Sequence, residues 1–239
     1  MTITSKDNDK LKQVRKLARK AERERTTQFV AEGEDLLAAA DASGRRPVLR
    51  LCAAGSGLDG DEVEPALLDG VSALGSGVRT LAVYEQRWEP ARGPLCVCLH
   101  GVSDPGNIGA VLRSAVAFGA ACVALGPGCA DPFSPKAVRA SMGAIFTLAP
   151  ARVRGPGELP GERVALVAHA GESLQGPIAG DVSVIVGAER AGLPDEVVAA
   201  CDRVAHIPIT GGQDSLNAAM AATVALYELT SSSHRMARP

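Results

Sequence analysis

From residue 95 onward the chain repeats one pattern, a short apolar, β-branched run followed by a stretch of helical character. The runs are Leu95–Val102, Ala121–Leu125, Ala144–Leu148, Val164–Ala168, Val182–Val186 and Val204–Ile209. A strand that is apolar on both sides must be covered on both sides, which helices crossing over a parallel sheet accomplish. The pattern therefore predicts an α/β fold on a parallel sheet. A shorter version precedes it. Phe29 to Ala42 reads as helical, Val48–Ala53 as a strand, Asp61–Leu74 as mostly helical and Val78–Tyr84 as a strand. Between the two parts lies Arg87-Trp88-Glu89-Pro90-Ala91-Arg92-Gly93-Pro94, whose prolines and glycine among charges read as a linker. The expected organisation is a small domain over residues 1–88, a linker over 89–94 and a larger domain over 95–239. A chain of 239 residues is long enough for both cores. The tail Ser231–Pro239 is expected to fray.

The net charge is −2, so any affinity for a polyanion must come from a local patch. One exists at the start. Lys6, Lys10, Lys12, Arg15, Lys16, Arg19, Lys20, Arg23 and Arg25 are offset only by Asp7, Asp9, Glu22 and Glu24. Leu11, Val14, Leu17, Ala18 and Ala21 add an apolar stripe at helical spacing. The segment reads either as a contact for a phosphate-rich partner or as a solvated helix with i,i+4 pairs. Aromatic residues make up 3% of the chain, too few for binding nucleic acid by serial base stacking. Six cysteines show no CxxC pair or Cys/His ligand spacing, so buried thiols are expected rather than zinc or disulfides. Cys96 and Cys98 alternate in an apolar run and should share one strand face. The charged N-terminus lacks an apolar signal core, and no apolar run is long enough to span a bilayer. The expectation is a cytoplasmic protein without membrane or metal.

Ligands of open parallel sheets sit beyond the carboxyl ends of the strands, and three polar clusters occupy such places. Asn107 through Arg113 follows the first run of the larger domain. Asn107 suits a helix cap, Ile108, Val111, Leu112 and Ala115 form a buried stripe, and Arg113 lies off it. Gly187-Ala188-Glu189-Arg190-Ala191-Gly192-Leu193 follows Val182–Val186, and a carboxylate there needs a partner. Thr210-Gly211-Gly212-Gln213-Asp214-Ser215-Leu216-Asn217 precedes a helix that is apolar nearly all round. Ser215 is its candidate cap, and burial in a core or a subunit interface is expected. Each cluster alone is compatible with an ordinary cap, turn or core helix. The chain lacks GxGxxG, GxxxxGK[ST] and GxSxG, which disfavours a dinucleotide binder, a P-loop nucleotidase and a hydrolase elbow.

Together, in this order and spacing, the clusters resemble the three signature motifs of the SpoU (TrmH-type) family of RNA ribose 2′-O-methyltransferases in the SPOUT superfamily. Asn107-Ile108-Gly109-Ala110-Val111-Leu112-Arg113 resembles the first motif. Gly187-Ala188-Glu189 with Gly192-Leu193 resembles the second. Ser215-Leu216-Asn217, Ala221 and Leu226-Tyr227-Glu228 resemble the third. Ser134-Pro135-Lys136 and Arg139-Ala140-Ser141-Met142-Gly143 also fall where the family has a similar run. One departure is Arg190, where many members have glycine; the extra cation could pair with Glu189 or touch RNA. Around Phe29-Val30-Ala31-Glu32-Gly33 the N-terminal part resembles the small α/β, ribosomal-protein-like substrate domain that many members carry.

The resemblance implies a C-terminal trefoil knot, a homodimer through the C-terminal helix and knot region, and S-adenosylmethionine as methyl donor. It implies donor contacts at Gly187, Ile207 and Leu216, with Ala168 or His169 lining the same pocket. Catalysis would fall to Arg113, with Asn107 holding the arginine or the ribose. Glu189, Ser215 and Asn217 would order the pocket. Arg15, Arg19, Arg23, Arg25, Lys136, Arg139 and Arg190 are the expected RNA contacts. The N-terminal domain tilts the substrate toward rRNA rather than tRNA. A non-catalytic RNA-binding or ribosome-assembly protein that retains the fold is the competing reading.

Overall fold

The basic N-terminal segment folds as two short helices, α1 (Asp9–Leu17) and α2 (Lys20–Thr26). The Asn8 side chain accepts from Lys10 N and starts α1, which buries Leu11, Val14 and Leu17. Arg19 is extended between the helices, and Thr27, at φ 54°, ends the second in the left-handed region. This computed structural model describes the backbone of residues 2–73, 75–210 and 215–236, with side chains through 231. The chain divides into two compact units, Met1–Arg87 with Asp131–Thr147, and Trp88–Ala130 with Leu148–Pro239.

The first unit continues with β1 (Gln28–Glu32), α3 (Glu34–Ala42), β2 (Leu49–Ala53), β3 (Asp61–Val63), α4 (Pro65–Asp69) and β4 (Thr80–Glu85). Its sheet has the order β1-β4-β2-β3, with β4 antiparallel to both neighbours and β3 parallel to β2. The helical reading of Phe29 to Ala42 is corrected: its first part is a strand, paired Phe29 to Tyr84 and Val30 to Val83. Gly33, at φ +100°, makes the break, where a side chain would also meet Asp35 Oδ1 at 2.8 Å. Asp61–Leu74 is likewise part strand, part helix, and Leu74 lies outside the described residues.

The second unit begins with β5 (Leu95–Leu99), α5 (Pro105–Ala117) and β6 (Cys122–Leu125). The chain then adds α6 (Pro135–Ala140) and α7 (Ala144–Thr147) to the first unit. Here a further expectation fails, because Ala144–Leu148 is not a strand. Periodicity cannot separate a short buried helix from a buried strand. Phe146 of α7 packs its ring on Tyr84 at 4.8 Å and Phe29 at 5.9 Å, and Phe133 joins Phe29 at 5.0 Å. Burying each such ring stabilises by about 1.5–3 kcal/mol. The second unit resumes with β7 (Ala151–Arg152), β8 (Glu162–Leu166), β9 (Glu172–Ser173), β10 (Val182–Val186), α8 (Asp195–Ala199), β11 (Arg203–His206) and α9 (Ala218–Met236).

Its seven strands form one parallel sheet in the order β7-β6-β5-β10-β8-β11-β9. The middle is apolar throughout, with Val97, Val184 and Val164 in register and each at most 1% exposed. Cys96 and Cys98 do share a face, beside Cys122 and Ile185, and burial pushes the Cys98 thiol up, leaving it neutral. The stretch read as a linker is held in place: Glu89 N donates to Pro150 O, and Arg152 stacks 4.3 Å above the Trp88 ring. Helix α9 packs on α5, with Ser114 and Thr223 hydroxyls 2.7 Å apart. Of the tail expected to fray, residues 231–236 continue α9 and 237–239 lie outside the described residues. No helix among the described residues is long and apolar enough to cross a membrane, and no group of three or more His, Cys, Asp or Glu among them could hold a metal.

Candidate active site

Three chain segments meet beyond the carboxyl ends of β5 and β10. After β5, Asp104 caps α5: its Oδ1 accepts from Gly106 N at 2.6 Å, and Pro105 opens the helix. Asn107 is therefore not the cap. It sits in the first turn, and its amide is free to donate to Glu189 Oε1. After β10 the chain makes a tight turn closed by Gly192 N donating to Ala188 O at 2.9 Å. Gly187 makes this turn possible, since a Cβ there would lie 2.3 Å from the Gly192 carbonyl group and 2.6 Å from Leu193 N. The turn presents Glu189, half-buried, toward Asn107.

The third segment ends at Asn217, which takes the capping role expected of Ser215. Asn217 Oδ1 accepts from Ala219 N at 2.9 Å and Met220 N at 3.3 Å at the start of α9. That fixes the amide rotamer, since the oxygen faces the helix and the nitrogen faces away. Asn217 Nδ2 then reaches Asn107 Oδ1 at 3.3 Å and Glu189 Oε1 at 3.4 Å. One carboxylate oxygen is held by two amides, which meets the requirement that a half-buried carboxylate be partnered. Oε2 of Glu189 has no partner among the described residues. Gly211, Gly212, Gln213 and Asp214 lie outside the described residues.

Two spaces flank this cluster. One is a cavity of about 100 Å³ lined by Leu166, Ala168, Gly187, Ile207, Ser215 and Leu216, among others. The other is a wider cleft of about 460 Å³, lined by Ser103, Asp104, Asn107, Arg190, Ala191 and Asn217. Glu189 and Ala188 line both. A small apolar cavity and a broad polar cleft sharing one carboxylate can hold two molecules side by side, with a transferable group between them. Of the residues singled out from sequence, Ala168, Gly187, Ile207, Leu216, Ser215 and Glu189 come together on the cavity, and Asn107, Asn217, Glu189 and Arg190 on the cleft. His169 does not line the cavity; it occupies an exposed turn after β8 at φ 59°. Arg113 lines neither space. It is exposed on α5, about 120° around the helix from Asn107 by helical geometry, so Asn107 is placed for the cleft and not for Arg113. Sequence reasoning missed Asp104, although Asp-Pro at a strand end is the signal of a cap followed by a first helical residue.

Among the expected RNA contacts, Arg23 is corrected. It is 4% exposed, pairs with Asp131 at 2.7 Å and donates to Leu17 O and Ala18 O at 2.8 Å. All its reach is spent on closing α1 and holding the 131–147 segment within the first unit. Arg25 pairs with Glu22 at 2.6 Å and Arg139 with Asp35 at 2.9 Å, both on the surface. Arg15, Arg19, Lys136 and Arg190 are exposed.

The SpoU rRNA Methylase family matches residues 94–227, a stretch that contains every residue of both spaces. The chain belongs to this family. A Streptomyces viridochromogenes relative, named 23S rRNA (uridine(2479)-2′-O)-methyltransferase, is 37% identical over 53% of this chain and 48% of its own length. The Bacillus subtilis 23S rRNA (guanosine(2553)-2′-O)-methyltransferase RlmP is 29% identical over 95% of this chain and 98% of its own. The chain spans about half the length of several curated relatives it matches. Among solved structures, an AdoMet-bound rRNA methyltransferase from Sinorhizobium meliloti superposes with a TM-score of 0.84 at 28% identity, covering 100% of this chain and 99% of that one.

Proposed function

We propose that the chain is an S-adenosylmethionine-dependent RNA ribose 2′-O-methyltransferase acting on large-subunit ribosomal RNA. The observation that carries this reading is Glu189, fixed by Asn107 and Asn217 on the wall between an apolar cavity and a polar cleft, in a chain of the SpoU family. The relatives' names and the AdoMet-bound neighbour support the donor and the substrate class.

The apolar walls from Ala168, Ile207 and Leu216 would flank the flat adenine of such a donor, and Glu189 and Ser215 at the edges would meet its polar groups. When bound, the donor supplies a methyl group on a sulfonium, already a good leaving group. The residues of the chain do the rest. Gly187 lets the loop close around the cavity. Asn107 and Asn217 hold one oxygen of Glu189 and leave the other to accept from the ribose hydroxyl. Fixing the two reactants in line can remove on the order of 7 kcal/mol or more from the barrier. A guanidinium remains a cation and is a poor base, so Arg113 orients the ribose and its phosphate, and the hydroxyl proton passes to Glu189 Oε2, which it already faces, and on to water as the oxygen takes the methyl group.

Helix α9 exposes Met220, Val224 and Tyr227 along one face, 62%, 39% and 57% respectively, and α5 exposes Val116. This apolar face supports a homodimer, and Arg113 lies one turn from Val116 at its margin. The close approach of the 176–178 segment to α9 supports a trefoil knot: Ile178 N donates to Leu229 O, and a Cβ on Gly176 would lie 2.1 Å from Glu228 O. The mixed sheet, with Arg15 of α1 and Arg19 between the two helices both exposed, supports an RNA-presenting N-terminal domain. Six unpaired thiols support a cytoplasmic setting.

The test is transfer of labelled methyl groups to unmodified total RNA, with rRNA and tRNA then separated. Label in large-subunit rRNA is expected. Label confined to tRNA contradicts the substrate, and no label from protein that binds the donor contradicts the activity. Sedimentation at micromolar concentration should show a dimer; a monomer contradicts the interface.

A further inference from the structure

The cleft beside Glu189 is electrostatically awkward for RNA. Its described lining carries two carboxylates, Asp104 and Glu189, both of which repel a phosphodiester. Neither can swing away. Asp104 caps α5 at 2.6 Å, and Glu189 is held by Asn107 and Asn217. One cation, Arg190, stands among those lining residues. It is exposed on the turn closed by Gly192 N and Ala188 O, and has no ion pair or hydrogen bond among the described residues. Its neighbour in the chain is the carboxylate to which the proposed function assigns the ribose hydroxyl.

On a ribose the 2′-oxygen and the 3′-phosphate sit on adjacent ring carbons. A ribose whose 2′-hydroxyl meets Glu189 Oε2 brings its 3′-phosphodiester within an arginine's length of residue 190. We propose that Arg190 clamps the phosphodiester 3′ of the target nucleotide, which makes the protein selective for an internal ribose over one at a 3′ end. The clamp rests on the methyltransferase reading above. A guanidinium is suited to the task, because its planar fork matches two phosphate oxygens and it stays charged. It also offsets the carboxylates that the cluster needs for its own architecture.

The experiment uses the full chain, deproteinised large-subunit rRNA, and two fragments of that rRNA ending at the methylated nucleotide, one with a 3′-phosphate and one with a 3′-hydroxyl. The unaltered protein should methylate the phosphate-ended fragment with a kcat/KM about 10- to 100-fold higher, the range of a charge-assisted hydrogen bond. Arg190→Ala should bring the two fragments together by lowering only the phosphate-ended one, and Arg190→Lys should fall between. On intact rRNA, Arg190→Ala should lower the salt dependence of binding by about one unit of log–log slope and leave donor binding unchanged. Discrimination that survives in Arg190→Ala, or a salt slope that does not move, overturns the clamp while the activity stands. If the unaltered protein binds donor but methylates neither rRNA nor fragment, the proposed function fails and the clamp with it.

Discussion

Asn217 has two separable tasks, and substituting it tests both. Its Oδ1 caps α9 through Ala219 N and Met220 N, and its Nδ2 reaches Glu189 Oε1 at 3.4 Å. Asn217→Ala removes the cap, at a cost of about 0.5–2 kcal/mol. For a chain of this size each kcal/mol lowers the melting temperature by roughly 2–4 °C, so the fall is roughly 1–8 °C. The same change removes one of two donors to a carboxylate. A hydrogen bond to a charged group contributes about 1.5–3 kcal/mol, or roughly 10- to 150-fold in rate if it is expressed in the transition state. The length of this bond places the effect near the low end. Asn217→Ser caps as well as asparagine but has no amide to offer. It should regain the melting temperature and not the rate. Asn217→Asp should also cap, but it sets a second carboxylate beside Glu189 in place of a donor, so its activity should fall below that of the serine variant. Thermal unfolding by circular dichroism and single-turnover methyl transfer to rRNA read the two effects separately. A serine variant that recovers both stability and rate refutes the role given to the amide.

Three further outcomes follow from the same structure. Gly187→Ala forces the Gly192–Leu193 backbone to retreat from a 2.3 Å contact; overpacking of this kind costs about 1–3 kcal/mol, and donor affinity measured by calorimetry should fall, whereas unchanged affinity would show that the turn does not shape the cavity. Arg23→Met leaves Asp131 buried without its partner and should destabilise by about 3–5 kcal/mol in denaturant unfolding; a loss under ~1 kcal/mol contradicts the structural role, and Arg15→Ala or Arg19→Ala, not Arg23→Met, should lower the salt slope of RNA binding by about one each. The Arg163 side chain holds the Asp202 carboxyl down to about 2. The folded value lies below the ordinary ~3.9, so the stability it contributes is complete above about pH 4 and is lost as pH falls through 2. An NMR titration should find that midpoint and Arg163→Gln should raise it; a midpoint near the ordinary value contradicts the ion pair.

How much of this was legible in the sequence depended on how local the cause was. The central strands were readable because Leu95–Leu99 and Val182–Val186 are apolar at every position but one, and only a doubly covered strand tolerates that. Ala144–Thr147 carries a similar run and is a helix, since its decisive contacts are the rings of Phe29 and Tyr84 far away in the chain. Phe29–Glu32 was missed because helix-forming residues follow it at once, and only the positive φ of Gly33 separates the two elements. Arg23 looked like one cation among many, because its partner Asp131 lies 108 residues on. The site shows the same division. Asn107, Glu189 and Asn217 could each be singled out by motif, but their mutual bonds join residues 82 and 110 apart, and only the sheet order brings them together.

The central claim is that the methyl group is delivered to a ribose oxygen at Glu189, from a donor on one side to RNA on the other. The most direct test is alkaline hydrolysis of rRNA labelled by the protein, because a 2′-O-methyl group blocks cleavage of the adjacent phosphodiester. The account predicts label in alkali-resistant dinucleotides, and its loss when Glu189→Ala replaces the natural chain. Label released in mononucleotides, which places the methyl group on a base, would contradict it.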